Sequence, residues 1–174
     1  MSPATHAATR PSRRGSSMLE FMLLGVPVIF MTLAAFDASL AMWRYHTMAE
    51  VVQVGARYIS SHGLGCTQSG NSCTVTVGNI ISVITQNGLG LDTGKLNVTL
   101  ISANANIPCN PVSSCTSNTT VFPQTGDNSP GSDIQVSATY PIDNPIVMFW
   151  PGTTSMPTTG VLTLGATSTQ RIVF

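Results

Sequence analysis

From Phe21 to Phe36 the chain carries no charged residue, and after one interruption at Asp37 it stays apolar to Trp43. This run constrains the fold more than any other feature. As a helix, Phe21–Trp43 would be about 34 Å long, enough to cross a hydrocarbon core about 30 Å thick, whereas Phe21–Phe36 alone would reach about 24 Å. Such a helix is lipid-like all round. Asp37 would fall in the outer third of the bilayer, where a carboxylate costs less than the roughly 2.5–3.5 kcal/mol of the centre. Trp43 and Tyr45, flanking Arg44, read as an aromatic belt at the outer interface. Pro27, two residues after Gly25, removes a backbone donor and predicts a kink or local unwinding. The freed carbonyl needs a partner, which a neighbouring helix can supply.

The head of the run is unusual. Arg10, Arg13 and Arg14 precede it with no acid in residues 1–15, and Glu20 stands at its mouth. The arginines keep this end in the cytoplasm and place everything after Tyr45 outside. A carboxylate at the edge of a membrane-length segment calls for a use. One use is a capping box, since Ser17-Met18-Leu19-Glu20 fits S-x-x-E. A rival organisation is a secretory signal: Ser39-Leu40-Ala41 offers a small-x-small site whose cleavage would release a soluble domain starting at Met42.

Helical periodicity continues past the interface. Tyr45, Met48, Val52, Ala56 and Ile59 form an apolar face opposite His46, Glu50, Gln53, Arg57 and Ser60, and Gly63 and Gly65 stop the helix. One helix is therefore expected over about residues 17–61, with an amphipathic second half that must lie against the rest of the chain. Beyond it, Val77, Ile80, Ile81 and Ile84 favour a short helix over Thr76–Asn87, although their β-branched side chains also suit a strand. Lys95–Ser102 and Asp133–Tyr140 alternate as strands, with Leu96, Val98 and Leu100, and Ile134, Val136, Ala138 and Tyr140, on the inner faces. Val161–Phe174 is a third strand, and Asn104–Cys115 and Gln124–Ser132 read as loops. The fold class is α+β: a long N-terminal helix, partly transmembrane, packed on a small antiparallel sheet of three strands. The domains expected are 1–15 as a cytoplasmic leader, 16–62 as the helix, and 63–174 as the exported domain.

Charged residues make up 8% of the chain, and the formal net charge is zero. The surface is polar but uncharged, as suits an exported protein, and no basic patch exists to bind nucleic acid. Cys66, Cys73, Cys109 and Cys115 all follow the apolar run. An even count on the translocated side reads as disulfides. Pairing Cys66 with Cys73 and Cys109 with Cys115 is expected, and the sequence leaves the crossed pairings open. The spacings are unlike zinc hooks. Asp127–Asp133 could offer carboxylates to calcium but fits no calcium-loop pattern. Ile146–Trp150, between Pro145 and Pro151, is either a core-seeking loop or an exposed patch for a partner. His6, His46 and His62 join no catalytic constellation, and no phosphate loop is present. No enzyme, cofactor or small-molecule substrate is expected.

One pattern uses all the features at the head of the chain together. Arg13-Arg14-Gly15, four residues, Glu20-Phe21 and an apolar helix resemble a type IV prepilin signal. With Pro27, Asp37, Gly55-Ala56-Arg57-Tyr58, the Thr- and Ala-rich stretch Val161–Arg171 and Ser137-Ala138-Thr139-Tyr140-Pro141, the chain resembles the TadE/TadF family. These are minor pilins, or pseudopilins, of the tight-adherence (Flp, type IVb) pilus system. The resemblance implies cleavage by a prepilin peptidase between Gly15 and Ser16, making Glu20 the fifth residue of the mature chain. The new α-amine, with an ordinary pKa of about 7.7–8, would be protonated. Glu20 of a neighbouring subunit would neutralise it, with Phe21 beside it in the docking segment. The implied partners are the inner membrane, the peptidase, other pilins and the Tad assembly platform. The implied location is the bacterial inner membrane with the domain in the periplasm, then a surface pilus used in adherence. Relatives more often carry alanine where this chain has Ser16-Ser17. The other reading of the same sequence is a membrane-anchored or secreted disulfide-containing binding module unconnected with pili.

Overall fold

The computed structural model of the protein describes residues 16–62, 75–143 and 161–173. It divides into two compact units between Ala38 and Ser39. The elements in order are α1 (Ser16–Ser60), α2 (Val77–Asn87), β1 (Asn97–Ile101), β2 (Asn106–Cys109), a single 3₁₀ turn (Val112–Cys115), β3 (Asp133–Asp143) and β4 (Val161–Arg171). The expected long helix is present as α1, and its backbone stays α-helical through Pro27 rather than unwinding. As described, α1 begins at Ser16. The stop expected at Gly63 and Gly65 lies outside the described residues.

In the second unit, Met48, Val51, Val52, Ala56 and Ile59 of α1 are buried in one core with α2 and the sheet. Tyr45, expected on that face, is instead 44% exposed and stands edge-on to His46, while Val51 takes a core position. Gly55 lies where a methyl group would come within 3.0 Å of the Ile84 side chain, so its lack of a Cβ lets α1 and α2 approach closely.

The ambiguous segment before Gly88 is a helix. Val77, Ile80, Ile81 and Ile84 are all fully buried. Each such burial contributes about 1.5–3 kcal/mol, against at most about 0.7 kcal/mol of unfavourable helix propensity per residue. The start of α2 is satisfied in detail. Val77 N–H donates to the Thr120 carbonyl and Gly78 N–H to the Asn118 carbonyl, both at 2.8 Å. The Thr76 hydroxyl accepts from Asn79 N–H at 3.3 Å, the side-chain cap that an N-terminal threonine provides.

The sheet is antiparallel throughout, in the order β2-β1-β3-β4. Its inner face presents Leu96, Val98 and Leu100, then Ile134, Val136, Ala138, Tyr140 and Ile142, all buried. The outer face is polar, with Ser137 and Thr167 hydroxyls 3.2 Å apart across β3 and β4. Four strands replace the expected three, because Asn106–Cys109 pairs with β1 inside what reads as a loop. Pro108 is tolerated there because β2 is an edge strand. β3 also runs past Tyr140 to Asp143. Pro141 pairs with Thr163 of β4 and lies beyond the last β1 pair, Asn97–Thr139, so β3 is an edge on its other side there, where a proline is tolerated.

Candidate functional site

In the first unit α1 exposes nearly every large side chain. Met18, Leu19, Phe21, Leu23, Leu24 and Met31 are each more than two-thirds exposed. A water-soluble surface rarely carries so continuous an apolar area. Among the described residues this is the one helix long and apolar enough to cross a membrane, and none of its most apolar stretch is covered by the protein. The length and composition fit membrane anchoring.

Ser16 is the first residue of α1, and Glu20 is exposed in the same helix. Phe21, 77% exposed, lies over Gly25: a methyl added to Gly25 would sit 3.8 Å from the Phe21 ring. Together with Met18, Met22, Val26 and Ile29 they line a shallow apolar groove of about 350 Å³. Pro27 lies within this stretch and lacks the N–H that would reach the Leu23 carbonyl. Glu20 and Phe21 are thus next to one another at the edge of a grooved apolar surface. Gly15 lies outside the described residues.

Of the cysteines, Cys109 and Cys115 are disulfide-bonded, with Cα atoms 5.6 Å apart, as the local pairing expected. The bond joins the end of β2 to the 3₁₀ turn, which is also tied to β1 by a 2.7 Å bond from Val112 N–H to the Leu96 carbonyl. Cys66 and Cys73 lie outside the described residues, as does Ile146–Trp150.

The two carboxylates considered for calcium have separate engagements. Asp127 is buried and accepts from the Ser102 hydroxyl at 2.6 Å, from Asn104 N–H at 2.8 Å, and from the Asn104 side-chain amide. The Ser102 hydrogen bond, with those of Asn104, holds the Asp127 carboxyl below the usual carboxylate range. This network fastens the loop around Asp127 to the β1–β2 turn, and no motif in the sequence announces it. Asp133 is exposed and pairs with Arg171 Nε at 3.1 Å. His62 caps the last turn of α1: its Nδ1 lies 2.7 Å from the Tyr58 carbonyl and its ring stacks obliquely on Tyr58. Among the described residues no three His, Cys, Asp or Glu side chains gather where they could hold a metal ion.

The family model described as TadE-like protein matches residues 15–57. The match takes in Gly15, Ser16, Glu20, Phe21, Pro27, Asp37 and Gly55-Ala56-Arg57, and leaves the sheet outside. No curated protein and no solved structure matches the chain. Over residues 15–57, which hold nearly all of α1, the chain is similar to TadE-like proteins.

Proposed function

We propose that the protein is a non-enzymatic minor pilin or pseudopilin of a tight-adherence pilus, cut by a prepilin peptidase after Gly15. The carrying observation is the match over residues 15–57, which begins at the glycine of the cleavage signal and includes Glu20 and Phe21. The exposed apolar surface of α1 supports a chain first held in the inner membrane and then packed among other pilin helices. The Met18–Ile29 groove supports close helix packing, because Gly25 leaves room that a larger side chain would fill. Glu20 of one subunit neutralises the new α-amine at Ser16 of a neighbour, in surroundings where either charge alone is costly. The disulfide supports an exported domain, since such bonds persist in oxidising compartments.

Cleavage after Ala41 as a secretory signal is disfavoured by packing. That cut would fall inside α1 and remove Ala41, which packs against the core of the second unit. The domain, residues 63–174, is large beside a helix-only pilin, which favours a minor position that starts or caps assembly. Two variants test the reading. Replacing Gly15 with a bulkier residue should leave the leader in place. Glu20→Ala should still be processed but should lower surface pili in a complementation assay. Normal pili in the Glu20→Ala strain would remove the docking role.

A further inference from the structure

The two edges of the sheet are built differently. β2 is four residues long, carries Pro108 and ends at the disulfide to Cys115. Shortness and proline are ordinary guards of an edge strand against pairing with another chain. β4, at the other edge, is eleven residues long, and Val161–Gln170 holds neither a proline nor a charge. Its charged residue, Arg171, pairs with Asp133 of β3. Among the described residues β4 pairs with β3 alone, in unbroken register from Val161 to Arg171. It therefore presents a long, unguarded row of backbone donors and acceptors.

The direction of those groups follows from the end of the ladder. Ile172 N–H donates to the Ser132 carbonyl, and the Ile172 carbonyl accepts from Gly131 N–H, both at 2.9 Å. Residue 172 thus turns both backbone groups toward the chain entering β3. Backbone groups alternate sides along an antiparallel strand, so Thr163, Gly165, Thr167 and Thr169 turn theirs to the open edge. These residues are exposed. The side chains between them face the core but are incompletely covered: Leu162 is 53% exposed, and Leu164 and Ala166 are only partly buried.

We propose that β4 pairs antiparallel with β4 of a second copy of the chain, about a two-fold axis at Leu164. In that register Leu164 stands opposite the partner's Leu164, and Leu162 opposite the partner's Ala166. Apolar side chains then meet apolar ones on the core side. Thr163 stands opposite the partner's Gly165, and the two exchange both backbone bonds. Residues 161–167 of both strands take part, and none of them is charged. Moving the axis toward Arg171 sets Leu162 against Ser168 or Gln170, and moving it toward Val161 shortens the pairing. The two four-stranded sheets become one continuous sheet. The inference rests on the second unit alone and holds whether or not the chain is a pilin.

The test uses the full chain in membranes, with single cysteines on β4 and mild oxidation by copper phenanthroline. Leu164→Cys lies on the axis, with the two Cα atoms about 4.5 Å apart, and should give a disulfide-linked dimer. Thr167→Cys stands about 20 Å from its counterpart and should give no more dimer than the unaltered chain. Adding Thr163→Pro to Leu164→Cys removes one seam donor from each copy while sparing the β3–β4 ladder. It should slow cross-linking about tenfold. Should the proline variant unfold, Gly165→Lys takes its place: a Cβ there meets nothing within 4 Å, and the two lysines repel across the seam. No cross-link at Leu164→Cys, equal cross-linking at both positions, a product of any mass other than twice the chain, or cross-linking unaffected by the edge variants would overturn the pairing.

Discussion

Asp127 accepts three hydrogen bonds in a buried position, and each favours its charged form. The consequence for stability has a definite sign. The carboxyl's folded pKa lies below its unfolded value of about 3.9. Its contribution is therefore complete above that value and is lost as pH falls through the unfolded and then the folded pKa. Chemical denaturation at stepped pH should show stability dropping below about pH 5. Asp127→Asn should be less stable at neutral pH but flatter over that acid range, and an equally steep variant would assign the acid sensitivity elsewhere. Nothing in the sequence marks the network around Asp127, because its partners, Ser102 and Asn104, are short polar residues in a separate turn. Glu20 is the opposite case. Its position relative to Gly15 and the apolar run is legible from the chain alone, whereas the docking role proposed for it needs a neighbouring subunit.

At the scale of elements, periodicity was readable wherever one face is buried. α2, β1 and β3 follow from the alternation of Ile, Val and Leu, and the buried positions match. β2 did not, since Asn106-Ile107-Pro108-Cys109 offers one aliphatic side chain and a proline, and its place in the sheet comes from pairing with β1. Tyr45 continues the apolar stripe in sequence, yet the core does not extend over it. The start of α2 is a sharp test of packing. A Cβ at Gly78 would lie 2.8 Å from the Thr116 carbonyl oxygen and 3.0 Å from that of Asn118. Backbone atoms cannot yield as a flexible side chain can. Gly78→Ala should therefore lose about 1–2 kcal/mol, the overpacking cost exceeding the roughly 1 kcal/mol gained in helix propensity. Thermal unfolding in detergent measures it, and an unchanged or raised midpoint would show that the loop at residues 116–118 moves aside.

For the whole molecule, one continuous helix serves two settings. Its first half exposes an apolar surface long enough to cross a membrane, and its second half is the core element of a disulfide-tied α+β domain. The TadE-like match ends at residue 57, where α1 nears its end, so the features shared with the family are those of the helix. The sheet was legible as a fold class but carries no comparable signature. The central claim, that the run from Arg13 to Phe21 directs cleavage and then docking, is tested most directly at the N-terminus of the mature protein. Sequencing and intact mass of the chain from membranes of its native host should give a start at Ser16. A start at Met42, or an uncut chain beginning at Met1, would contradict it.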